Sequence, residues 1–310
     1  MLISSTTLQP FNLADEVSYQ QWRTARLANY PVLAADLMVR INDAAALTRP
    51  EHAAILERCR KTNLALYEVI GRGETDKPAI RAFGRQFGLA TLDMNLCADE
   101  DSITSLRVAE TRAGTHYIPY TNRPLNWHTD GYYNRPGEQV RGIVMHCVSA
   151  SASGGDNLFL DPEIAYLLLR DENPDYIRAL MQPDAMTIPP NIEAGTELRP
   201  ARSGPVFSVA PDTGALHMRF TARTRSIEWK DDRNTRLAAE FLLELLASDS
   251  IYIIRHRLCA GQGIICNNVL HRRDAFADDA TGGQERLLYR ARYHERIRGT
   301  EMPIGNIAEV

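Results

Sequence analysis

The spacing of hydrophobic residues differs between the first eighty residues of the chain and the remainder. Over residues 17–70 the apolar side chains recur at helical intervals, which predicts helices in this segment. One of them is expected to begin after Thr48, where Pro50 occupies a position typical of a first helical turn. A further short helix is predicted over residues 78–87, because a glycine follows it. Residues 1–80 are therefore predicted to be mostly helical.

From about residue 104 the pattern changes to short apolar runs separated by turn residues, which indicates strands. The predicted strands lie at residues 142–148, 205–209, 215–220, 263–266 and 287–293. Three helices are predicted among them, at residues 161–170, 174–180 and 233–247. A strand-rich region with inserted helices predicts a mainly β fold of the α+β class, a sandwich or barrel that carries helical layers.

No internal repeat, low-complexity segment or Pro/Gly/Ser-rich linker divides the chain, so residues 1–310 are predicted to form one domain. No apolar run approaches the roughly 20 residues that a membrane-spanning helix needs, so no membrane partner is expected. The N-terminus also lacks the charged start and the long apolar segment of a signal peptide. We therefore expect a cytoplasmic protein.

Charge and cysteine content exclude two further classes of protein. The net charge is −4, whereas a nucleic-acid-binding protein normally shows a strong basic balance, so no nucleic-acid partner is expected. The cysteines are odd in number and never spaced as Cys-x-x-Cys, which argues against a zinc knuckle or a disulfide framework. Reduced thiols in the core are expected instead, at Cys59, Cys97, Cys147, Cys259 and Cys266.

A pair of metal-binding residue types stands at His128 and Asp130. On a strand, residues two apart point to the same face, so both side chains can reach one ion while Thr129 turns away. His271 is a third candidate ligand. Two imidazoles and one carboxylate on one face of an octahedron leave three positions open, as in non-heme Fe(II) oxygenases.

At this point the chain resembles the taurine dioxygenase-like family of Fe(II)/2-oxoglutarate-dependent oxygenases. The resemblance covers roughly residues 80–295. It is carried by four motifs in the family's order, at residues 126–130 (NWHTD), 153–157 (SGGDN), 267–271 (NNVLH) and 285–292 (ERLLYRAR). It implies a double-stranded β-helix core, the jelly roll of cupin-like proteins, over residues 81–298, with N-terminal and inserted helices.

The resemblance also implies a role for particular residues. His128, Asp130 and His271 are expected to bind iron, and Arg286 is expected to hold the far carboxylate of 2-oxoglutarate. A guanidinium group suits that task, because it offers a charged, bidentate fork to a carboxylate. The family's Gly-Gly-Asp motif continues with a Thr that contacts the same carboxylate. Here Asn157 takes that place, and its amide is expected to donate instead.

The resemblance further implies that Arg290, four residues beyond Arg286, holds an anionic group of the substrate, and that Asn126 lines the substrate pocket. Arginine is common in this terminal segment, so a purely structural role for Arg290 is equally open. In the taurine enzymes a His near residues 89–93 contacts the sulfonate. This chain has none there, which argues against taurine itself.

The implied reaction is hydroxylation of a small anionic metabolite, with Fe(II) as the cofactor, 2-oxoglutarate and O2 consumed, and succinate and CO2 released. Related halogenases replace the metal carboxylate by a small residue, whereas Asp130 is retained here. Two alternatives stay open: a cupin-like protein with a structural or hydrolytic metal, and a catalytically inactive family member. The prime substrate is not identified, and a homo-oligomer is compatible with the sequence.

Several other residues are interpreted as structural. His146, His217 and His256 are expected to pack rather than bind a ligand, and Trp127 to lie in the core. Arg219 and Arg223 are in a position to reach a substrate, but salt bridges with Glu228 and Asp231 are the favoured expectation. Residues 186–195 are a candidate lid over the site.

Overall fold

The structure is a computed structural model that describes residues 9–71, 75–94, 99, 101–108, 118–193, 195–223, 227–279 and 285–302. Its α-helices are α1 Glu16–Leu27, α2 Ala34–Leu37, α3 Arg49–Thr62, α4 Lys77–Gln86, α5 Pro162–Glu172, α6 Pro174–Leu180 and α7 Arg233–Ala247. The strands of the first half are β1 Met38–Ile41, β2 Leu64–Val69, β3 Thr104–Leu106, β4 Leu125–His128, β5 Gly142–Ser149, β6 Ser153–Gly154 and β7 Asn157–Leu160. Those of the second half are β8 Met186–Ile188, β9 Asn191–Glu193, β10 Thr196–Arg199, β11 Arg202–Gly204, β12 Phe207–Val209, β13 Leu216–Met218, β14 Glu228–Trp229, β15 Ile254–His256, β16 Gln262–Cys266, β17 Leu270–Arg273, β18 Phe276–Ala277 and β19 Leu287–Tyr293.

Two sheets form the core of the fold. The large sheet has the strand order β1-β2-β16-β5-β19-β3, and the small sheet has the order β15-β7-β17-β4. All pairings are antiparallel except that of β1 with β2. Neighbouring strands are far apart in sequence, as a jelly roll requires. The predicted α+β class with a jelly-roll core and attached helices is confirmed.

The alternation of side chains along the strands decides what lies between the two sheets. From the large sheet, Ile143, Cys147 and Leu288 point inward, and Phe159 of the small sheet meets them in one buried cluster. The opposite face of the large sheet packs against α3 and α4 through Ile55 and other buried residues. The outer face of the small sheet packs against α5, α6 and α7. Alternate residues of β4 and β17 therefore face the space between the sheets.

The predicted helices and strands are mostly present. Thr48 caps α3 with its side chain, α4 ends before Gly88 at φ 79°, and α5, α6 and α7 coincide with the predicted segments. The predicted hairpin is the pair β12 and β13. The prediction of helix throughout residues 17–70 is wrong in part, because β1 and β2 lie within it. Leu64 to Tyr67 are all buried, because Ala65 and Tyr67 face the helices while Leu64 and Leu66 face the small sheet, and such a continuous apolar run has no period that separates strand from helix.

The N-terminal helix α1 is fastened to the rest of the fold by a buried ion pair. Arg26 contacts the carboxylates of Asp161 at 2.7 Å and Glu163 at 2.9 Å. Asn63, the left-handed residue that ends α3, donates to both carboxylates as well. Among the described residues, no helix is long and apolar enough to cross a membrane. The single domain over residues 1–310 stays a prediction.

Candidate metal centre and active site

Three predicted ligands meet between the two sheets. His128 ends β4, Asp130 follows two residues later, and His271 of β17 lies directly opposite His128 in the register of the small sheet. One ligating atom from each residue lies within 4.8 Å of the others. His128 Nε2 is 3.5 Å from Asp130 Oδ1, and the two imidazole centroids are 4.2 Å apart. In the described part of the chain, no other group of three His, Cys, Asp or Glu side chains has this arrangement.

Backbone carbonyl groups fix the orientation of both imidazoles. The Nδ1 atom of His128 lies 2.8 Å from the carbonyl oxygen of Asn126, and that of His271 lies 2.9 Å from the carbonyl oxygen of Val269. When each Nδ1–H donates to its carbonyl, the lone pair is left on Nε2. Burial also lowers the pKa of His271 to about 4, so the ring is neutral near pH 7. A neutral imidazole with a fixed Nε2 is the form that binds a metal.

The carboxylate of Asp130 is ionised although it is buried. Burial alone would raise its pKa, but the Arg290 guanidinium and the His128 imidazole hold the pKa well below its usual range. Its Oδ2 atom is buried and accepts no hydrogen bond from the described residues, although Arg290 Nη1 lies 3.3 Å away as an ion-pair partner. An unsatisfied buried oxygen is costly, and a metal ion would offset that cost. Two imidazole nitrogens and one such oxygen are a donor set that suits Fe(II).

Asn268 clamps the backbone of Asp130, a role that the sequence did not reveal. Its Oδ1 accepts from the Asp130 N–H at 2.8 Å, and its Nδ2 donates to the carbonyl oxygens of Asp130 at 2.9 Å and Val140 at 2.7 Å. Asn268 has a φ of 50°, a left-handed conformation that Asn tolerates better than most residues. The Asn-Asn pair before His271 was a visible signal, but its partner lies more than a hundred residues away.

Arg286 lies immediately before β19 and is 5% exposed. Its guanidinium carbon is 4.8 Å from the ring centroid of Phe276, and its backbone N–H donates to Asp278 at 3.0 Å. No carboxylate within the described residues forms an ion pair with its guanidinium. Burial accordingly lowers the pKa of Arg286. A buried cation with an apolar wall and no carboxylate partner is suited to an anionic ligand.

Asn157 occupies the same corner of the fold. It is buried, and its amide donates to the carbonyl oxygens of Gly155 and His256, both at a marginal 3.4 Å. On β17, Arg273 is its partner in register, two residues beyond the metal-site His271, or about 7 Å along the strand. Arg273 was missed by sequence reasoning. Its guanidinium also lies 4.8 Å from the Phe276 ring, and burial lowers its pKa to about 10.

Arg290 and Arg292 point inward from β19 but meet different partners. Nη1 of Arg290 lies 3.3 Å from each oxygen of Asp130. Arg292 forms a buried ion pair with Asp93 and donates to the hydroxyl of Tyr133 at 3.3 Å. Asp93 lies in the segment where the taurine enzymes carry their His. In this chain, the carboxylate at that place neutralises the charge of Arg292.

The remaining predicted site residue, Asn126, has an exposed side chain, and its amide lies 3.5 Å from the carbonyl oxygen of Ala222. Its backbone carbonyl orients His128, so Asn126 contributes to the site through its main chain. A contact between its side chain and the substrate stays a prediction.

The predicted salt bridges of Arg219 and Arg223 are wrong. Arg219 donates to backbone carbonyls, including those of Pro205 and Gly204, because its guanidinium is buried where three strands end. Arg223 lies near the Tyr132 hydroxyl and forms no salt bridge with the described residues, and Asp231 pairs with Arg236 on α7.

Two of the three histidines that were expected to have structural roles, His146 and His256, contact neighbouring side chains. His146 is buried with its Nδ1 3.3 Å from the hydroxyl of Tyr67, and burial lowers its pKa to about 4. His256 Nε2 is 3.0 Å from Gln262 Oε1. His217 is partly buried on β13, and burial and nearby arginines lower its pKa to about 3. Trp127 is in the core as predicted and donates to the carbonyl oxygen of Leu246 at 2.9 Å.

The cysteines and the candidate lid depart in part from expectation. Cys59, Cys147 and Cys266 are free and buried, whereas Cys259 is free but exposed, and Cys97 lies outside the described residues. The lid segment is divided: Met186–Ile188 is the central strand of a three-stranded sheet, and only the hairpin of β9 and β10 beyond it is largely exposed.

Comparison with known proteins agrees with this geometry. A uridine-5'-phosphate dioxygenase of Amycolatopsis sp. is 31% identical over 184 residues, which are 56% of this chain and 62% of that enzyme, so less than two thirds of its length is matched. Among solved structures, a taurine dioxygenase from Burkholderia xenovorans aligns with a TM-score of 0.54 at 20% identity, covering 83% of this chain and 87% of that one. An asparagine oxygenase in complex with Fe(II), 3-hydroxyasparagine and succinate aligns with a TM-score of 0.55 at 15% identity, covering 96% and 97%.

A family model also matches most of the chain. The Taurine catabolism dioxygenase TauD, TfdA family matches residues 48–292, and enzymes of this family use Fe(II), 2-oxoglutarate and O2. The predicted family, dioxygenase class and cofactors are therefore confirmed at the level of the family. This chain belongs to the TauD, TfdA family of dioxygenases.

Proposed function

We propose that this chain is an Fe(II)- and 2-oxoglutarate-dependent dioxygenase that hydroxylates a small anionic metabolite and releases succinate and CO2. The observation that carries the proposal is the meeting of His128, Asp130 and His271, whose ligating atoms lie within 4.8 Å of one another. A bound Fe(II) would supply, together with 2-oxoglutarate, the activation of O2 that hydroxylation requires. Family membership supports this chemistry.

The protein's own contribution is to bind and orient. His128 and His271 would hold the metal through Nε2, because their Nδ1 atoms are engaged by backbone carbonyls. Asp130 would supply the third ligand, held in place by Asn268. Such outer contacts fix the direction of a ligand and raise its affinity for the metal.

Arg286 would bind the far carboxylate of 2-oxoglutarate. Its burial and the absence of a carboxylate partner among the described residues support that role, since a charge-assisted pair is strongest where water is excluded. The Phe276 ring would cover one face of the guanidinium. Asn157, whose present hydrogen bonds are both long, would turn its amide toward the same carboxylate.

The charges around the site favour an anionic substrate. Arg292 is already paired with Asp93, whereas the one ion pair of Arg290 among the described residues is with Asp130, which would be committed to the metal. The positive charge of Arg290 would then attract an anionic substrate toward the site. Because a relative 31% identical is a uridine-5'-phosphate dioxygenase, uridine 5'-phosphate is the first substrate to test.

The proposal is tested by succinate formation. The protein is incubated with Fe(II), 2-oxoglutarate, O2 and a panel of anionic metabolites that begins with uridine 5'-phosphate. Wild type is expected to form succinate faster with at least one of them, and His271→Ala to form none above background. His256→Ala, which removes an imidazole outside the site, is the matched control and should retain activity. Equal succinate formation by wild type and His271→Ala would contradict the proposal.

A further inference from the structure

Two tyrosines extend the site beyond the metal ligands. Tyr132 and Tyr133 follow Asp130 directly after Gly131, and their rings meet edge to face with centroids 5.2 Å apart. Because Tyr132 is only two peptide units from Asp130, their Cα atoms are at most about 7 Å apart. The two tyrosines therefore follow the metal ligand Asp130 closely along the chain, and the Tyr133 hydroxyl accepts from Arg292 at 3.3 Å.

Three arginines lie near this pair of tyrosines, and we call Arg199, Arg202 and Arg223 the arginine cluster. The guanidinium carbon of Arg199 lies 6.0 Å from the centroid of the Tyr133 ring, and the exposed side chain of Arg223 lies near the hydroxyl of Tyr132. Arg202 begins β11, just beyond the end of β10 at Arg199, and is close enough for the two like charges to repel. Arg199 and Arg202 flank the β10–β11 connection, and Arg223 lies in the segment after Thr221.

That segment is itself tied to the metal site. Thr221 forms an isolated β-bridge with His128, one of the proposed ligands, so Arg223 stands two residues from a residue paired with the metal centre. The backbone that carries Arg223 is thus adjacent to the metal site, while its side chain is exposed.

The cluster carries positive charge without a matching negative charge. Within the residues that the structure describes, no carboxylate forms a salt bridge with any of the three, and the nearby buried Arg219 donates only to carbonyl oxygens. Burial lowers the pKa of Arg199, and repulsion by the charge of Arg202 lowers it further. The Nε atom of Arg202 is buried with no hydrogen-bond partner. Like charges held together in this way destabilise one another, and a bound anion would relieve the repulsion.

We propose that the arginine cluster is an oxoanion subsite that binds the phosphate group of a phosphate monoester substrate. The inference rests on the proposed function, since it places this group beside the metal centre. A phosphate monoester suits the cluster better than a carboxylate, because it carries about two negative charges near pH 7 and three acceptor oxygens. Guanidinium forks bind such an oxygen array bidentately, and the phenol hydroxyls of Tyr132 and Tyr133 can donate to it as well.

The subsite is distinct from the position proposed for 2-oxoglutarate. Arg286 lies by Phe276 and Gly155, near the start of β19, whereas the cluster lies by the tyrosines that follow Asp130. The substrate would therefore be held by its phosphate on one side of the metal while the cosubstrate occupies another.

The test measures binding rather than turnover. The full chain is titrated calorimetrically, at constant ionic strength, with inorganic phosphate, ribose 5-phosphate and ribose. Ribose 5-phosphate is expected to bind and ribose is not. Arg199→Gln and Arg223→Gln should each weaken the phosphate ester by about tenfold, the effect of losing a charge-assisted hydrogen bond. The matched control is Arg178→Gln, because Arg178 is an exposed arginine on α6 that pairs only with Asp175.

The outcomes separate this proposal from the proposed dioxygenase function. Unchanged affinity in Arg199→Gln and Arg223→Gln, or no binding of either phosphate compound, overturns the subsite. Loss of ribose 5-phosphate binding in Arg286→Gln but not in the cluster variants also overturns it, because the phosphate would then occupy the cosubstrate position. Failure of wild type to bind Fe(II) and 2-oxoglutarate, with the cluster variants still weakening phosphate, would instead refute the dioxygenase and retain the subsite.

Discussion

Arg290 lies against Asp130, with its Nη1 atom 3.3 Å from each oxygen of the carboxylate. Both side chains are buried between the sheets. A guanidinium in that place competes with a metal ion for the same carboxylate, because both are positive. We therefore expect metal binding to weaken the contact of Arg290 with Asp130.

We predict that Arg290→Gln binds Fe(II) at least as tightly as wild type, with a gain of up to about tenfold, because removing one positive charge leaves Asp130 more available. Capture of an anionic substrate should weaken in the same variant. Affinity is measured by anaerobic competition with a chelator, and Arg290→Lys is the control that keeps the charge. Weaker Fe(II) binding in Arg290→Gln would mean that Arg290 is needed to hold Asp130 in place.

Replacing Arg286 should separate cosubstrate binding from metal binding. In Arg286→Gln the concentration of 2-oxoglutarate needed for half-saturation is expected to rise at least about thirtyfold, since truncating a buried charge pair costs about 2 kcal/mol or more. Fe(II) affinity should be unchanged. Arg255→Gln is a suitable control, because Arg255 is exposed on β15 and pairs with Asp274. Equal 2-oxoglutarate affinity in Arg286→Gln and wild type would show that another residue binds the cosubstrate.

Asn268→Gly should weaken Fe(II) binding about tenfold, the effect typical of losing a residue that orients a metal ligand. Glycine accepts the left-handed φ of 50°, so the variant removes the amide clamp without adding backbone strain. The neighbouring Asn267 bonds Asn63 and Thr300 instead of Asp130, which makes Asn267→Ala the control. That control should lose stability and keep its metal affinity. Comparable losses of metal affinity in both variants would refute the clamp.

The buried ion pair of α1 should matter more for stability than an exposed pair on the same helix. Arg26→Met leaves Asp161 and Glu163 buried without their cation and is expected to lower the free energy of unfolding by about 3 kcal/mol. Arg23, three residues earlier, pairs with Asp171 at the surface, and Arg23→Met should cost no more than about 1 kcal/mol. Urea unfolding of both variants checks this difference. Equal losses in the free energy of unfolding would show that the buried pair contributes no more to stability than the exposed pair.

The arrangement of the three metal-site residues was predictable because much of it is local. The two-residue spacing keeps His128 and Asp130 close together, although β4 ends at His128 and Asp130 lies in the turn that follows, and the family motif supplied His271. The helices with a cap and an apolar stripe, such as α7, were predictable for a similar reason. In contrast, β2 was missed, because a run buried on both faces carries no alternation.

The contacts that were missed depend on pairing between distant strands. Asn268 meets Asp130 only because β17 lies beside β4, and Asp93 meets Arg292 across nearly two hundred residues. The partners of Arg219 were also wrongly predicted, because they depend on the fold and not on nearby sequence. Its predicted acidic partners are close in sequence, but the fold turns its guanidinium inward to carbonyl groups.

The central claim is that His128, Asp130 and His271 hold Fe(II) with positions left open for 2-oxoglutarate. The most direct measurement is the visible absorption of the anaerobic protein with Fe(II) and 2-oxoglutarate, where chelation of the cosubstrate to the metal gives a charge-transfer band. The account predicts this band for wild type and for the control His256→Ala, and its loss in His271→Ala. Absence of the band from wild type, or an undiminished band in His271→Ala, would contradict it.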